Sequence, residues 1–151
     1  LSASGFETTR VGKDGSRSAK ITHGNITSTR WTQGVSVKPN RGYRLSGWFK
    51  TKDVPETGSG AYLRAEMFRA EPEEESKPTA WQRHIIGQAT VTGNLSEWVY
   101  VTVDFHTERN QKTLFIACGL GDYETGTTGT VYFDDIRLTR TSCSDQVYGG
   151  N

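Results

Sequence analysis

The chain has 151 residues, of which 33% are apolar and 23% charged, and 18 Lys and Arg against 17 Asp and Glu leave a formal net charge of +1. No segment combines basic and aromatic residues as a nucleic-acid binder does, and no apolar run approaches the roughly 20 residues of a membrane helix. We therefore expect one core, no nucleic-acid or membrane partner, and a chain that is a processed or excised part of something larger.

Alternation of apolar and polar residues recurs along the chain between Gly, Pro and Asn, a pattern typical of a β-sandwich or barrel. Helices are expected to be minor, because no window combines helical spacing with caps. The acidic run AEPEEESKP is interpreted as a solvated loop. We assign residues 1–140 to one β-sandwich domain and 141–151 to a C-terminal tail or linker. The predicted strands are SASGFET, RSAKITH, RWTQGVSV, GYRLSGWFKT, AYLRAEMFRA, RHIIGQATV, EWVYVTVDFH, KTLFIACGL and TVYFDDIRLT.

Alternation within four of these strands separates core side chains from those on the opposite face. If the four strands lie in one sheet, its outer surface combines aromatic rings with charged groups. A sugar suits such a surface, because its C–H patches pack on a ring while its hydroxyls form hydrogen bonds. The alternative is that loops or a second domain cover these aromatics. The predicted ligand-binding residues are Arg44, Trp48, Lys50, Tyr62, Arg64, Glu66, Tyr100 and Phe115.

The segment VYFDDIRL places two adjacent carboxylates, Asp134 and Asp135, in a strand-like sequence. Adjacent strand residues point to opposite faces, so a facing acid and base pair is disfavoured. One Asp must face inward or lie at a bulge, and an inward carboxylate needs a cation or several donors. Glu7 could add a carboxylate and the turn VGKDGSRS could add carbonyls, a ligand mixture that suits calcium.

Six motifs resemble, in this order, the carbohydrate-binding modules of families four, nine, sixteen and twenty-two. They are GFE, GSRSAKI, W-x-Q-x-V-x-V-KPN-x-x-Y, LSGWFKT, W-x-x-V-x-V-x-F and GTVYFDDIRL, spanning about Gly5 to Leu138. The resemblance implies an all-β, galactose-binding-like jelly roll of two antiparallel sheets. It also implies a concave sheet that grips a glycan, with an aromatic at Trp48.

The same resemblance implies one structural calcium remote from the ligand face. Its side-chain ligands would be Glu7 and Asp135, and Asp134 would then face outward. The implied carbonyl ligands are those of Gly5, Lys13 and Ser16.

The resulting hypothesis is a non-catalytic, secreted, monomeric module that is covalently linked to a glycoside hydrolase or polysaccharide lyase. Arg44, Lys50 and Arg64 on one predicted face indicate an acidic or sulfated polysaccharide. The alternative is a structural or protein-contacting sandwich that keeps the calcium without binding glycans. An enzyme is disfavoured, since the 3 histidines lie in separate segments with no nucleophile signature nearby.

Overall fold

The computed structural model describes residues 6–9, 18–27, 29–71, 80–121 and 127–141. These residues contain strands and no helix, so the predicted all-β class is confirmed. Each predicted strand is present among these residues. The largest difference is at the second, which ends at Thr27 instead of His23, while the sixth and the ninth each begin three residues earlier than expected, so that the sixth includes Trp81. The strands are β1 (Phe6–Thr9), β2 (Ser18–Thr27), β3 (Thr29–Ser36), β4 (Gly42–Lys52), β5 (Ala61–Glu71), β6 (Ala80–Val91), β7 (Val99–His106), β8 (Thr113–Leu120) and β9 (Thr127–Arg140).

The strands form two antiparallel sheets that pack face to face. The five-stranded sheet has the order β1-β2-β9-β4-β7, and the four-stranded sheet has the order β3-β8-β5-β6. From β3 onward the chain changes sheet at every connection except the β5–β6 hairpin. This alternation closes the core between the sheets and confirms the predicted jelly-roll sandwich.

The sheet order corrects one expectation about the predicted ligand residues. Strands β4 and β7 belong to the five-stranded sheet, whereas β5 and β8 belong to the four-stranded sheet. The expectation of one shared outer surface is therefore wrong. Alternation identifies the side chains that share one face of a strand, but it does not identify the sheet that the strand joins.

The inner faces of both sheets supply the core, as alternation predicts. Leu45, Leu63 and Leu114 are fully buried, and the Phe49 and Phe133 rings meet edge to face with centroids 4.8 Å apart. Burying one such side chain contributes roughly 1.5–3 kcal/mol. Cys118 lies in the same core, where burial raises the pKa of its thiol to about 12. This thiol therefore stays protonated at neutral pH and packs as a small apolar group.

A β-bulge in β9 explains how two adjacent carboxylates fit into a strand. Trp48 pairs with Asp134 and Ser46 with Arg137, so Asp135 and Ile136 together oppose a single β4 residue. Asp135 has a φ of 51°. The Asp134 carboxylate accepts a hydrogen bond from the Asp135 amide at 2.8 Å, and the Asp135 carboxylate accepts one from Arg137 Nε at 2.8 Å. Each carboxylate thus has its own donor.

Candidate functional site

The two outer faces are described separately, because they present different side chains. The four-stranded face is the outward side of β3, β8, β5 and β6. Its strand register aligns outward residues in rows across the sheet, one of which runs through Gly34, Phe115, Glu66 and Ile85. Four of the predicted ligand residues lie here: Tyr62, Arg64, Glu66 and Phe115.

Glu66 is the centre of a charged network on the four-stranded face. Its side chain has no exposed surface although it points away from the core. Arg30 Nη1 donates hydrogen bonds to both carboxylate oxygens, at 2.7 and 2.9 Å. Nη1 of Arg64 lies 3.4 Å and Nη1 of Arg83 3.7 Å from Glu66 Oε1. Three guanidinium groups therefore enclose one carboxylate, which makes the cluster positively charged.

Tyr62 and Arg64 form a stacked layer beneath this network. The Arg64 guanidinium lies over the Tyr62 ring, 3.9 Å from its centroid, and Arg64 Nε donates to Gln88 Oε1 at 2.7 Å. The ring occupies the space above Gly119, where a Cβ atom would overlap the ring. Burial raises the pKa of the Tyr62 phenol, against the lowering effect of Arg64 and Arg30. The phenol is therefore neutral at physiological pH.

Apolar side chains border the network. Phe68 and Phe115 pack edge to face with ring centroids 5.2 Å apart, and Phe68 and Ile85 remain substantially exposed. Ile85 reaches this face because the β5–β6 register shifts at Ala65 and Glu66, which leaves Ile86 packed on the core. The face thus places exposed apolar surface beside exposed parts of Arg30 and Arg83.

The five-stranded face, the outward side of β1, β2, β9, β4 and β7, has an open aromatic pair. Trp48 and Tyr100 are register partners whose ring centroids lie 5.1 Å apart at 43°. Tyr100 is 52% exposed. The ion pair of Arg44 with Asp104, at 2.7 Å, lies on the same two strands and is open to solvent. The remaining predicted ligand residue, Lys50, also lies on this face, in register with Tyr132.

Two cavities differ in their relation to these faces. One of about 520 Å³ opens on the five-stranded face and is lined by Lys50, Thr51, Lys52, Asn94, Ser96 and Tyr132. The other, of about 510 Å³, lies where β3 approaches β9, and its walls include the core residues Cys118 and Phe133. The second cavity is a gap between the inner sides of the sheets, so it belongs to neither outer face.

Solved structures with the same architecture include several carbohydrate-binding modules, although no protein-family model and no curated protein matches the sequence. A family 16 carbohydrate-binding module is 16% identical over 89% of this chain and 84% of its own, with a TM-score of 0.53. The CBM22-2 xylan-binding domain of Paenibacillus barcinonensis Xyn10C is 15% identical over 90% and 86%, with a TM-score of 0.55. The chain shares the jelly-roll fold of these modules.

The same fold occurs inside a larger enzyme. The CBM22-1 and GH10 modules of Clostridium thermocellum xylanase 10B, complexed with xylohexaose, match over 91% of this chain but only 25% of theirs, at 14% identity and a TM-score of 0.54. Within the described part of the present chain, no helix is long and apolar enough to cross a membrane.

Two of the predicted calcium ligands, Glu7 and Asp135, lie in strands that the structure describes. Register places Glu7 in the row of Lys20 and Tyr132. By strand geometry, that row leaves the backbones of Glu7 and Asp135 roughly 14 Å apart. No group of three or more His, Cys, Asp and Glu in the described ranges could hold a metal ion. The predicted carbonyl ligands Gly5, Lys13 and Ser16 lie outside those ranges, so calcium stays a prediction.

Several residues of the two faces were not among the predicted ligand residues. Alternation in β3 offers a signal for Arg30, since Trp31, Val35 and Val37 share the opposite parity. No comparable signal exists for Arg83 and Ile85, because the register shift in β6 interrupts the alternation. The residues absent from the prediction are Arg30, Lys52, Phe68, Arg83, Ile85 and Tyr132.

Proposed function

We propose that this chain is a non-catalytic carbohydrate-binding module whose four-stranded face holds the glycan. The observation that carries the proposal is the enclosure of Glu66 by three arginines on the outward side of a sheet, beside the exposed Phe68 and Ile85. Fixed guanidinium groups offer planar hydrogen bonds to sugar substituents, and the apolar rim offers a surface for C–H patches. Both requirements of sugar recognition lie on one face.

We further propose that the glycan is acidic or sulfated. The cluster holds three guanidinium groups and one carboxylate, and the side chains of Arg30 and Arg83 are 26% and 32% exposed. Their N–H groups can pair with a carboxylate or sulfate of the ligand. The prediction that Arg44, Lys50 and Arg64 share one face is wrong, because Arg44 and Lys50 lie on the five-stranded face and Arg64 on the four-stranded face. The arginine cluster replaces that set as the basis for an acidic ligand.

Support for a module in a larger secreted enzyme comes from proteins of the same fold. One similar structure is described as a xylan-binding domain, and another joins such a module to a GH10 module in complex with xylohexaose. We extend this arrangement to the present chain as an ancillary domain of a secreted glycoside hydrolase or polysaccharide lyase. The proposed glycan differs from the xylan and xylohexaose named for these structures, since the arginine cluster favours an acidic chain.

Calorimetric titration with three oligosaccharides tests the proposal: tetragalacturonate, a sulfated carrageenan tetrasaccharide, and neutral xylohexaose. We expect one or both acidic probes to bind, with affinity that falls as NaCl is raised. Arg83→Gln removes a donor that lies at the edge of the network, and it should weaken binding about ten-fold or more. The matched control is Arg109→Gln, which removes an exposed arginine from the β7–β8 turn.

Binding of xylohexaose without binding of either acidic probe would overturn the acidic-ligand proposal and leave glycan binding in place. The structural alternative has its own supporting observation, because Glu66 and Arg64 are buried as core residues are. No binding by a folded wild-type domain, together with a lower melting temperature for Arg83→Gln, would favour that alternative.

We propose separately that the domain binds a structural calcium ion. The proposed glycan contacts do not involve this ion. Melting temperature measured with calcium and after chelation tests it, and Asp135→Asn is the matched variant. A melting temperature that chelation does not change would remove the calcium proposal and leave the glycan site unaffected.

A further inference from the structure

Two arginines reach Glu66 from opposite edges of the four-stranded sheet. Arg30 lies on β3 and Arg83 on β6, which are the edge strands of this sheet. Their Nη1 atoms lie 2.7 Å and 3.7 Å from the same carboxylate oxygen, Glu66 Oε1. An oxyanion accepts hydrogen bonds from guanidinium groups at about 2.8 Å, so one small oxyanion can contact both arginines at once.

The Glu66 carboxylate does not use all the donors of these two groups. Arg30 donates to both Glu66 oxygens through a single nitrogen, Nη1. The 3.7 Å contact of Arg83 is an ion pair, but it is too long for a hydrogen bond. Both arginine side chains are partly exposed, whereas the Glu66 side chain is fully buried. N–H groups of Arg30 and Arg83 can therefore donate to an acceptor that arrives from solvent.

The charges of the cluster are also unbalanced. Three guanidinium groups face one carboxylate, which leaves an excess of positive charge. The same four groups act on the pKa of the Tyr62 phenol beneath them. Excess charge that is partly withdrawn from water is costly, so an anion that balances it is favoured at this place.

The number of acceptor oxygens distinguishes between classes of anion. In fork-to-fork pairing, one guanidinium group takes both oxygens of a carboxylate, so a single arginine uses all the oxygens of that group. A sulfate group has further oxygens, even when it is esterified to a sugar. It can pair with one guanidinium group through two oxygens and with a second guanidinium group through another. Two arginines that approach from opposite sides therefore suit a sulfate group better than a carboxylate.

We propose that Arg30 and Arg83 form a clamp for a single sulfate group, which is either a free ion or carried by a sugar. The clamp narrows the ligand of the four-stranded face from acidic glycans to sulfated ones, and in this respect it rests on the proposed function. The clamp itself does not require a glycan, because a free sulfate ion satisfies the same donors.

Titration calorimetry with the carrageenan tetrasaccharide, tetragalacturonate and sodium sulfate tests the clamp. The sulfated tetrasaccharide should bind at least about ten-fold more tightly than tetragalacturonate. Free sulfate should compete for the same donors. About 10 mM sodium sulfate should therefore weaken binding of the tetrasaccharide more than sodium chloride of the same ionic strength does.

Two variants remove one side of the clamp each. Arg83→Gln removes the guanidinium group that forms no hydrogen bond to Glu66, and Arg30→Lys keeps a positive charge beside Glu66 while it removes the fork. Each should weaken binding of the tetrasaccharide about ten-fold and remove the preference over tetragalacturonate. Because both arginines hold the same anion, the double variant should lose less affinity than the product of the two single losses. Arg109→Gln is again the matched control and should bind as wild type does.

The outcomes separate the clamp from the proposed function. If tetragalacturonate binds as tightly as the tetrasaccharide and Arg83→Gln weakens both, the clamp is overturned and the proposed function stands. Losses that multiply in the double variant would also overturn the clamp, because each arginine would then hold a different group. If free sulfate binds, Arg83→Gln abolishes that binding and no oligosaccharide binds, the clamp is supported and the proposed glycan site is overturned. If a folded wild-type domain binds neither free sulfate nor the tetrasaccharide, the clamp is overturned whether or not xylohexaose binds.

Discussion

The two outer faces carry ion pairs of opposite character. On the four-stranded face the Glu66 side chain is completely buried and faces three guanidinium groups, whereas on the five-stranded face the Arg44 and Asp104 side chains are 48% and 58% exposed. Water screens the second pair more strongly than the first, whose carboxylate is buried, so equal hydrogen-bond distances do not imply equal energies. The comparison teaches that the ion pairs of the four-stranded face stabilise the fold, while the exposed ion pair of the five-stranded face contributes little to stability.

The largest effect is expected from removing the charge of Glu66. Glu66→Gln keeps the shape of the side chain but leaves three guanidinium groups facing one another without a carboxylate. Breaking a buried ion pair in this way costs about 3–5 kcal/mol of unfolding free energy. Urea unfolding of wild type and variant measures this loss, with Asp104→Asn as the control on the other face.

A loss below about 1 kcal/mol for Glu66→Gln would contradict the comparison. It would mean that water reaches the network as freely as it reaches the exposed pair. The two faces would then be electrostatically alike.

A smaller effect is expected from a methyl group added beneath the network. In Gly119→Ala the new Cβ would overlap the Tyr62 ring, which cannot move outward because the Arg64 guanidinium covers it. Overpacking of this kind costs about 1–3 kcal/mol. Thermal unfolding measures the loss.

Gly34→Ala is the matched control for this variant, since Gly34 also points outward from the four-stranded sheet. Gly34 lies on the edge strand β3. The nearest contact of an added Cβ atom would be the Phe115 ring at 3.2 Å, and a small shift of that ring relieves the close contact. If Gly34→Ala lowers the melting temperature as much as Gly119→Ala, the loss in Gly119→Ala does not come from overlap with the stacked Tyr62 ring.

The sequence was sufficient to predict the strands, their inner faces and the jelly-roll class, because alternation is a local property of each strand. It was insufficient to predict which outward residues meet. Trp48 and Arg64 have the same parity in neighbouring strands of the sequence, yet they lie on opposite sides of the sandwich. Arg30 and Glu66, 36 positions apart, form the central contact of the four-stranded face, and only the strand order brings them together. Asp135 lies at a bulge, which is one of the two alternatives that the sequence left open, and its φ of 51° accompanies the break in alternation.

The smallest effect is expected from the exposed pair on the five-stranded face. The hydrogen bond from Arg44 holds the pKa of Asp104 below its ordinary value of 3.8. A lowered carboxyl pKa means that the stabilisation is fully present above pH 3.8 and is lost as the pH falls through the lower value of the folded state. Because the pair is solvated, Asp104→Asn should cost only about 0.2–1 kcal/mol at neutral pH.

Urea unfolding of wild type and Asp104→Asn, from neutral pH to about pH 2, follows this contribution. The difference between the two proteins should shrink to nothing at the acidic end and should also shrink in about 0.5 M NaCl, because salt screens exposed charges. A difference that persists at the lowest pH cannot come from the ionised carboxylate. It would instead come from packing of the Asp104 side chain. The contribution of this residue to stability would then come from packing contacts and not from the exposed ion pair with Arg44.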